Sequence, residues 1–92
     1  MSSEYGYNYE GVMHGVVGGE RVALIAKINP TTKWASVYRG GTGLGNVIMW
    51  KKMRALKRGW FQTEVELTTD DGVFYLKTLN SYGDLIRKTF GD

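Results

Sequence analysis

The sequence predicts a small α+β protein in which one mostly antiparallel sheet of about five strands carries helices on one face. Three observations lead to this fold class. A glycine pair separates two stretches of alternating polarity, further stretches downstream alternate in the same way, and one central segment changes to a helical period. The predicted element order is βββαββα, and residues 1–92 are expected to form a single domain.

The first three strands are predicted from alternation and turn residues. Residues 9–17 and 21–28 flank Gly18-Gly19, which is a two-residue hairpin signal. Asn29-Pro30 is typical of a turn and leads into a third strand over residues 33–39. Alternation places the side chains of this third strand on two faces, with Trp34, Ser36 and Tyr38 on one and Ala35, Val37 and Arg39 on the other.

The central segment from Asn46 to about Arg58 is predicted to be a helix. Met49, Met53 and Leu56 follow one another at i, i+4 and i+7, which places them on one buried stripe. Asn46 is a suitable N-cap, and Gly59 ends the segment. On such a helix the cationic side chains lie on the exposed side, and these are Lys51, Lys52, Arg54, Lys57 and Arg58.

The C-terminal third predicts a second hairpin and a short helix. Residues 60–68 and 73–79 read as strands on either side of Asp71-Gly72, and residues 81–89 read as a helix. Strand alternation predicts that Phe61, Val65 and Leu67 are core residues, and the helix is expected to bury Leu85, Ile86 and Phe90.

Composition favours an intracellular, non-membrane protein. The chain has no cysteine, which removes disulfides and thiolate sites, and its longest aliphatic run is far too short to span a bilayer. The N-terminus lacks the features of a signal peptide. We therefore expect a cytoplasmic protein, in the host-cell cytoplasm if it is virus-encoded. Residues 1–8 are expected to form a flexible Tyr/Gly-rich tail or to extend the first strand.

Charge is distributed in blocks along the chain. Between residues 21 and 60 there are nine lysines and arginines and no acidic residue. Residues 1–20 contain glutamates but no lysine or arginine, and residues 61–92 contain more acidic than basic residues. Such asymmetry indicates a polyanionic partner more strongly than the net charge of +3 does. RNA or DNA is the partner that this pattern favours, and an acidic surface of a larger protein complex is the alternative.

The candidate binding residues combine this basic segment with aromatic side chains. Trp50, Trp34 and Tyr38 are suited to stacking on unpaired bases, although core packing is the simpler explanation for each. The glycine-rich loop at Gly41, Gly43 and Gly45 precedes the predicted helix, so it serves either as a connector or as a source of phosphate contacts. The complete set of cations in the predicted interface is Arg39, Lys51, Lys52, Arg54, Lys57 and Arg58.

Catalysis and metal binding have little support in the sequence. His14 is the only histidine, and no serine or cysteine is spaced from it as a nucleophile would be. Glu64 and Glu66 share a strand face, which surface alternation explains as well as paired acid-base chemistry does. Asp70-Asp71-Gly72 reads as a turn and not as a calcium loop. We predict no catalytic residues, no metal site and no cofactor.

Three functional hypotheses remain open. The first is a non-enzymatic binding protein whose residues 21–58 dock on RNA or DNA. The second is a small phage-type inhibitor or regulator, similar in kind to anti-CRISPR proteins, that binds a protein component of a nucleic-acid-handling or host-defence complex through the same basic surface. The third is a small enzyme that uses Glu64, Glu66 and His14.

Overall fold

A computed structural model describes residues 6–40 and 47–91. Within these ranges the chain forms seven strands followed by one helix. The strands are β1 (Tyr9–Val17), β2 (Glu20–Asn29), β3 (Trp34–Arg39), β4 (Val47–Ile48), β5 (Trp50–Arg58), β6 (Gln62–Thr69) and β7 (Gly72–Leu79), and the helix α1 spans Asn80–Phe90.

The strands form one curled, half-barrel sheet in the order β4-β3-β2-β1-β7-β6-β5, and all of the observed pairings are antiparallel. Two meanders, β1 to β4 and β5 to β7, meet at the centre of this sheet. The seam between them is thinly paired, because β1 and β7 share a single registered pair, His14 with Lys77. Each of the neighbouring hairpins is paired along its whole length.

The core lies on the inner face of the curled sheet. Alternation in each strand directs one set of side chains inward, and α1 covers the β5–β6–β7 side of that face. The buried apolar side chains form one cluster, which consists of Met13, Leu24, Ala26, Ile28, Val37, Met53, Ala55, Val65, Leu67, Leu76, Tyr82 and Ile86.

Two glycines allow the helix and the sheet to approach closely. A Cβ atom on Gly11 would lie 2.5 Å from the ring of Tyr82, and one on Gly83 would lie 2.4 Å from the Cβ atom of Thr63. Close contact at these points brings the Tyr82 hydroxyl within reach of the sheet backbone. It donates hydrogen bonds of 2.9 Å to the carbonyl oxygens of Tyr9 and Ala26.

The prediction of an α+β fold with the order βββαββα is wrong, because the central segment is extended. Residues 47–48 and 50–58 form β4 and β5, and the only helix in the described residues is α1. Met53 is buried as expected, but Leu56 is only half-buried and Met49 is 71% exposed. The helical spacing of Met49, Met53 and Leu56 was therefore misleading, because it joined one buried residue to an exposed residue outside β5 and a half-buried one.

Most of the other predicted elements are confirmed. Both hairpins, the third strand and the C-terminal helix form close to their predicted positions, and Val65 and Leu67 are fully buried. The prediction that Phe61 is a core residue is wrong, because Phe61 precedes β6 and is 80% exposed. Of the predicted tail, residues 1–5 lie outside the described residues. No helix in the described part of the chain is long and apolar enough to cross a membrane.

Candidate functional site

The cations of the central segment do not form an open row. Strand β5 lies beside β6, so the basic strand and an acidic strand are direct neighbours. Three of the five predicted cations form ion pairs: Lys51 Nζ with Asp70 Oδ1 at 3.3 Å, Arg54 with Glu66 at 3.7 Å, and Arg58 Nε with Asp84 Oδ1 at 3.2 Å.

A fourth ion pair of the described residues joins Lys27 Nζ to Glu10 Oε2 at 3.9 Å. Every one of these pairs joins the basic middle of the sequence to one of its acidic flanks. Lys52 and Lys57 are exposed and form no ion pair within the described ranges. Folding therefore neutralises much of the charge asymmetry that the sequence displays.

The three predicted stacking residues lie in two different environments. Trp50 is on the inner face, where it packs against the core and its ring meets that of Phe90 edge-to-face at 5.7 Å between centroids. Trp34 and Tyr38 are on the outer face of the sheet. Trp34 is exposed, whereas Tyr38 is half-buried with Lys27 Nζ 5.9 Å from its ring centroid.

Arg39 ends β3 and has no ion-pair partner among the described residues. It lines a cavity of about 250 Å³ with apolar neighbours from the inner face, and Glu20 and Asp71 also line that cavity. The positive charge of Arg39 is therefore accompanied by two acidic residues in the same cavity. Gly41, Gly43 and Gly45, the predicted phosphate-contacting loop, lie outside the described residues.

The hypothetical catalytic residues are not gathered into one site. Glu66 pairs with Arg54, and Glu64 lies across from Lys77 on the outer face. His14 Nε2 lies 2.9 Å from the amide nitrogen of Gln62, and His14 lines a different groove from Glu64. Among residues 6–40 and 47–91, no group of three histidines and acids is placed to hold a metal ion.

A basic groove crosses the outer face at the seam between the two meanders. We call it the seam groove, and it measures about 710 Å³. No acid lines it, and its polar and aromatic side chains are His14, Arg21, Gln62, Tyr75 and Lys77.

Sequence reasoning missed the most exposed aromatic side chains of the described residues. The turn between β5 and β6, Gly59-Trp60-Phe61, is called the aromatic turn. Trp60 is 93% exposed and Phe61 is 80% exposed. Two adjacent aromatics directly after a glycine are a signal that could have been read as a turn, but the period-2 pattern placed Phe61 in phase with the core.

The backbone of the aromatic turn is held by several hydrogen bonds. Gly59 N donates to the carbonyl oxygen of Gln62 at 2.8 Å, and the backbone N–H of Asn80 donates to that of Phe61 at 3.1 Å. The Asn80 side-chain amide donates to the carbonyl oxygens of Gly59 and Trp60 at 3.0 and 3.1 Å. Its Oδ1 atom accepts a hydrogen bond of 2.8 Å from the Thr63 hydroxyl. The first residue of α1 thus fixes this turn.

A second groove, of about 600 Å³, lies beside the aromatic turn on the outer face. Leu79, which is exposed, extends its apolar surface, and the charged side chains of its lining are Lys57, Glu64 and Lys77. Both signs of charge therefore border the exposed aromatics. No protein-family model matches the chain, and comparison with curated proteins and with solved structures gives no significant match either.

Proposed function

We propose that this protein is a non-enzymatic binding domain that docks on a larger protein by inserting Trp60 and Phe61 into an apolar pocket of that partner. The observation that carries the proposal is the exposure of two large adjacent aromatics on a turn with a fixed backbone. Tryptophan is among the residues that most often dominate binding energy at protein interfaces. Isolated exposed apolar residues are common, but a braced aromatic pair is not accounted for by folding.

Insertion of these rings offers a large gain at a small ordering cost. Each ring buries roughly 150–250 Å² when it is enclosed, which corresponds to about 4 kcal/mol or more before the costs of association. Fixing a flexible loop on binding would consume part of this gain. Because Asn80 already holds the carbonyl oxygens of Gly59 and Trp60, that cost is reduced here.

The surroundings of the aromatic turn favour a protein as the partner. Lys57 and Lys77 border the adjoining groove together with Glu64, so the rim presents both signs of charge. A polyanion would meet the repulsion of that carboxylate, whereas a protein surface offers complementary groups of both signs. The proposal thus retains the inhibitor or regulator class and places its contact on the aromatic turn.

The test compares Trp60→Ser with Trp34→Ser, since both tryptophans are exposed but only Trp60 lies on the aromatic turn. Proteins captured by the wild-type chain with and without nuclease are identified, purified and titrated against each variant. Trp60→Ser is expected to weaken binding by about 30-fold or more, the loss typical of a hot spot. Trp34→Ser is expected to change it by less than about threefold.

Two results would contradict the proposal. One is a partner that binds Trp60→Ser as tightly as the wild type. The other is the loss of all captured proteins on nuclease treatment, which would mean that nucleic acid links them to the chain. Retained folding of both variants is checked by their thermal midpoints.

Docking on RNA or DNA is a second candidate function, and a separate observation favours it. The seam groove holds Arg21 and Lys77 without an ion-pair partner among the described residues, and no acid lines it. The basic segment 21–58 contributes Arg21 to this groove, but β5 contributes none of its lining.

A further inference from the structure

We infer that the seam groove is a phosphate-binding site for a nucleotide unit, with Arg21 and Lys77 contacting the phosphate and Tyr75 stacking on the base. The inference rests on the second candidate function and is independent of the aromatic turn. It assigns the contact to residues of β2 and β7 instead of β5.

Strand pairing brings the two cations to one surface. His14 of β1 lies opposite Lys77 of β7, and Val16 of β1 lies opposite Arg21 of β2. Side chains two residues apart on a strand share a face, so these four residues all project outward. Two strand spacings, about 10 Å, separate β2 from β7. A phosphate between them lies within reach of both long side chains.

The cations of the seam groove differ from those of β5 in their pairing. Lys51, Arg54 and Arg58 each form an ion pair with an acid of a neighbouring segment. Arg21 and Lys77 form none with the described residues, although Glu64 lies across from Lys77 in the β6–β7 pairing. Glu64 lines the groove beside the aromatic turn and not the seam groove. Two unpaired cations in an acid-free groove favour an anion.

Tyr75 supplies an aromatic surface beside these cations. It is 56% exposed, and its neighbour across the β6–β7 pairing, Glu66, is engaged by Arg54. Base stacking on an exposed ring is worth about 1–3 kcal/mol and tolerates any base. The seam groove therefore suits a phosphate with an adjacent base and carries no sequence specificity.

His14 is oriented by its neighbour. Its Nε2 atom lies 2.9 Å from the Gln62 amide nitrogen, so a side-chain hydrogen bond joins β1 to β6 across the seam. The imidazole adds hydrogen-bonding capacity to the groove without adding a negative charge.

The test compares two double variants that remove the same net charge. Arg21→Ala/Lys77→Ala empties the seam groove of its cations, whereas Lys51→Ala/Arg58→Ala removes two ion-paired cations of β5. Fluorescent hexamers of single-stranded RNA and DNA are titrated at several salt concentrations. The seam-groove variant is expected to bind about tenfold or more weakly, with a salt slope flatter by about 1.4, from about 0.7 per lost contact. The β5 variant is expected to change affinity by less than about threefold.

A second pair of variants tests stacking. Tyr75→Ala is expected to weaken oligonucleotide binding by about fivefold or more, the lower end of the stacking range. Val73→Ala, on the same face of β7, is expected to leave it within about twofold. Thermal midpoints of all four variants check that folding is retained.

Mononucleotides and inorganic phosphate identify the source of the phosphate. Binding of hexamers but not of adenosine monophosphate assigns a strand as the ligand, and comparable binding of the mononucleotide assigns a free nucleotide. Equal weakening by both double variants would overturn the inference, because it would reveal non-specific charge alone. Wild-type binding of hexamer and mononucleotide weaker than about 100 μM at physiological salt would overturn it as well. Trp60→Ser should leave hexamer binding unchanged, which separates this inference from the protein-docking proposal.

Discussion

Tyr82 ties the helix to the sheet through one side chain. Its ring packs on Gly11, and its hydroxyl donates to the carbonyl oxygens of Tyr9 and Ala26 on two adjacent strands. Burial raises the pKa of Tyr82 well above its usual range, and the negative charge of Glu10 raises it further. The phenol is therefore held in its neutral, donating form in the folded protein.

Tyr82→Phe is expected to lower the free energy of unfolding by about 1–3 kcal/mol, because the carbonyl oxygens of Tyr9 and Ala26 lose the hydroxyl proton that they share and the hydrogen bond to Ala26 is buried. The raised pKa also gives the wild type a pH dependence. The stabilisation that this pKa shift provides is complete below a pH of about 10, where the phenol is still protonated in the unfolded chain. It is lost as the pH rises toward the higher pKa of the folded protein. Urea denaturation between pH 8 and 11 should show a shallower alkaline decline for Tyr82→Phe. An equal decline in both proteins would contradict this assignment.

The register of β6 can be tested at Leu67 and Phe61, which uninterrupted alternation would place on the same face. Leu67 is fully buried, so Leu67→Ala should cost about 2–5 kcal/mol by leaving a cavity. Phe61 lies on the aromatic turn, so Phe61→Ala should change the free energy of unfolding by less than about 0.5 kcal/mol. Chemical denaturation measures both. A large loss for Phe61→Ala would place that ring in the core.

At the scale of the element, β5 shows where a sequence pattern can mislead. Its inward side chains include Trp50, Met53 and Ala55, and the pairing then shifts so that Arg58 faces Thr63. The stripe from which a helix was predicted, Met49, Met53 and Leu56, contains only one of these inward residues, so its helical spacing did not reflect a buried face. Regular strands such as β6 were predicted correctly because their alternation is not interrupted.

The aromatic turn depends on a residue of another element. Asn80 begins α1 and also binds the carbonyl oxygens of Gly59 and Trp60, so this contact joins residues about twenty positions apart. Local sequence could indicate a turn at Gly59. It could not indicate that the turn is braced, because the brace is a tertiary contact.

Asn80→Ala is expected to loosen the aromatic turn while leaving the sheet intact. Three side-chain hydrogen bonds are lost, two to the carbonyl oxygens of Gly59 and Trp60 and one from the Thr63 hydroxyl. The turn should therefore open more often, and exchange of the Gly59 amide, which donates to the carbonyl oxygen of Gln62, should accelerate about tenfold or more. Amides of the β1–β2 hairpin serve as the internal reference and should be unaffected. Unchanged exchange in the turn would show that the remaining backbone bonds hold it alone.

At the level of the complete fold, ion pairs join part of the basic block to the acidic blocks that flank it in the sequence. Basic β5 pairs with acidic β6, and Arg58 reaches Asp84 on α1. The asymmetry was visible in the sequence, but its internal compensation depends on which strands become neighbours. The seam groove likewise could not be foreseen, since Arg21 and Lys77 are 56 positions apart in the sequence and meet through β1.

Lys51→Ala/Arg54→Ala/Arg58→Ala tests this electrostatic account. Three exposed or half-exposed ion pairs are broken, so the free energy of unfolding should fall by about 1–2 kcal/mol in total. The difference from the wild type should shrink in 1 M salt, where the Debye length is about 3 Å. Denaturation curves at low and high salt provide the measurement. A deficit that persists in full at high salt would point to lost packing instead.

The most direct test of docking through the aromatic turn uses the three tryptophans of the chain as separate reporters. With 5-fluorotryptophan incorporated, Trp34, Trp50 and Trp60 give distinct fluorine resonances, which single substitutions assign. Trp50 reports the core, Trp34 the far side of the outer face, and Trp60 the aromatic turn. On addition of the purified protein partner, docking through the aromatic turn predicts that the Trp60 resonance shifts while the other two remain in place. A shift of Trp34 with an unchanged Trp60 would contradict it.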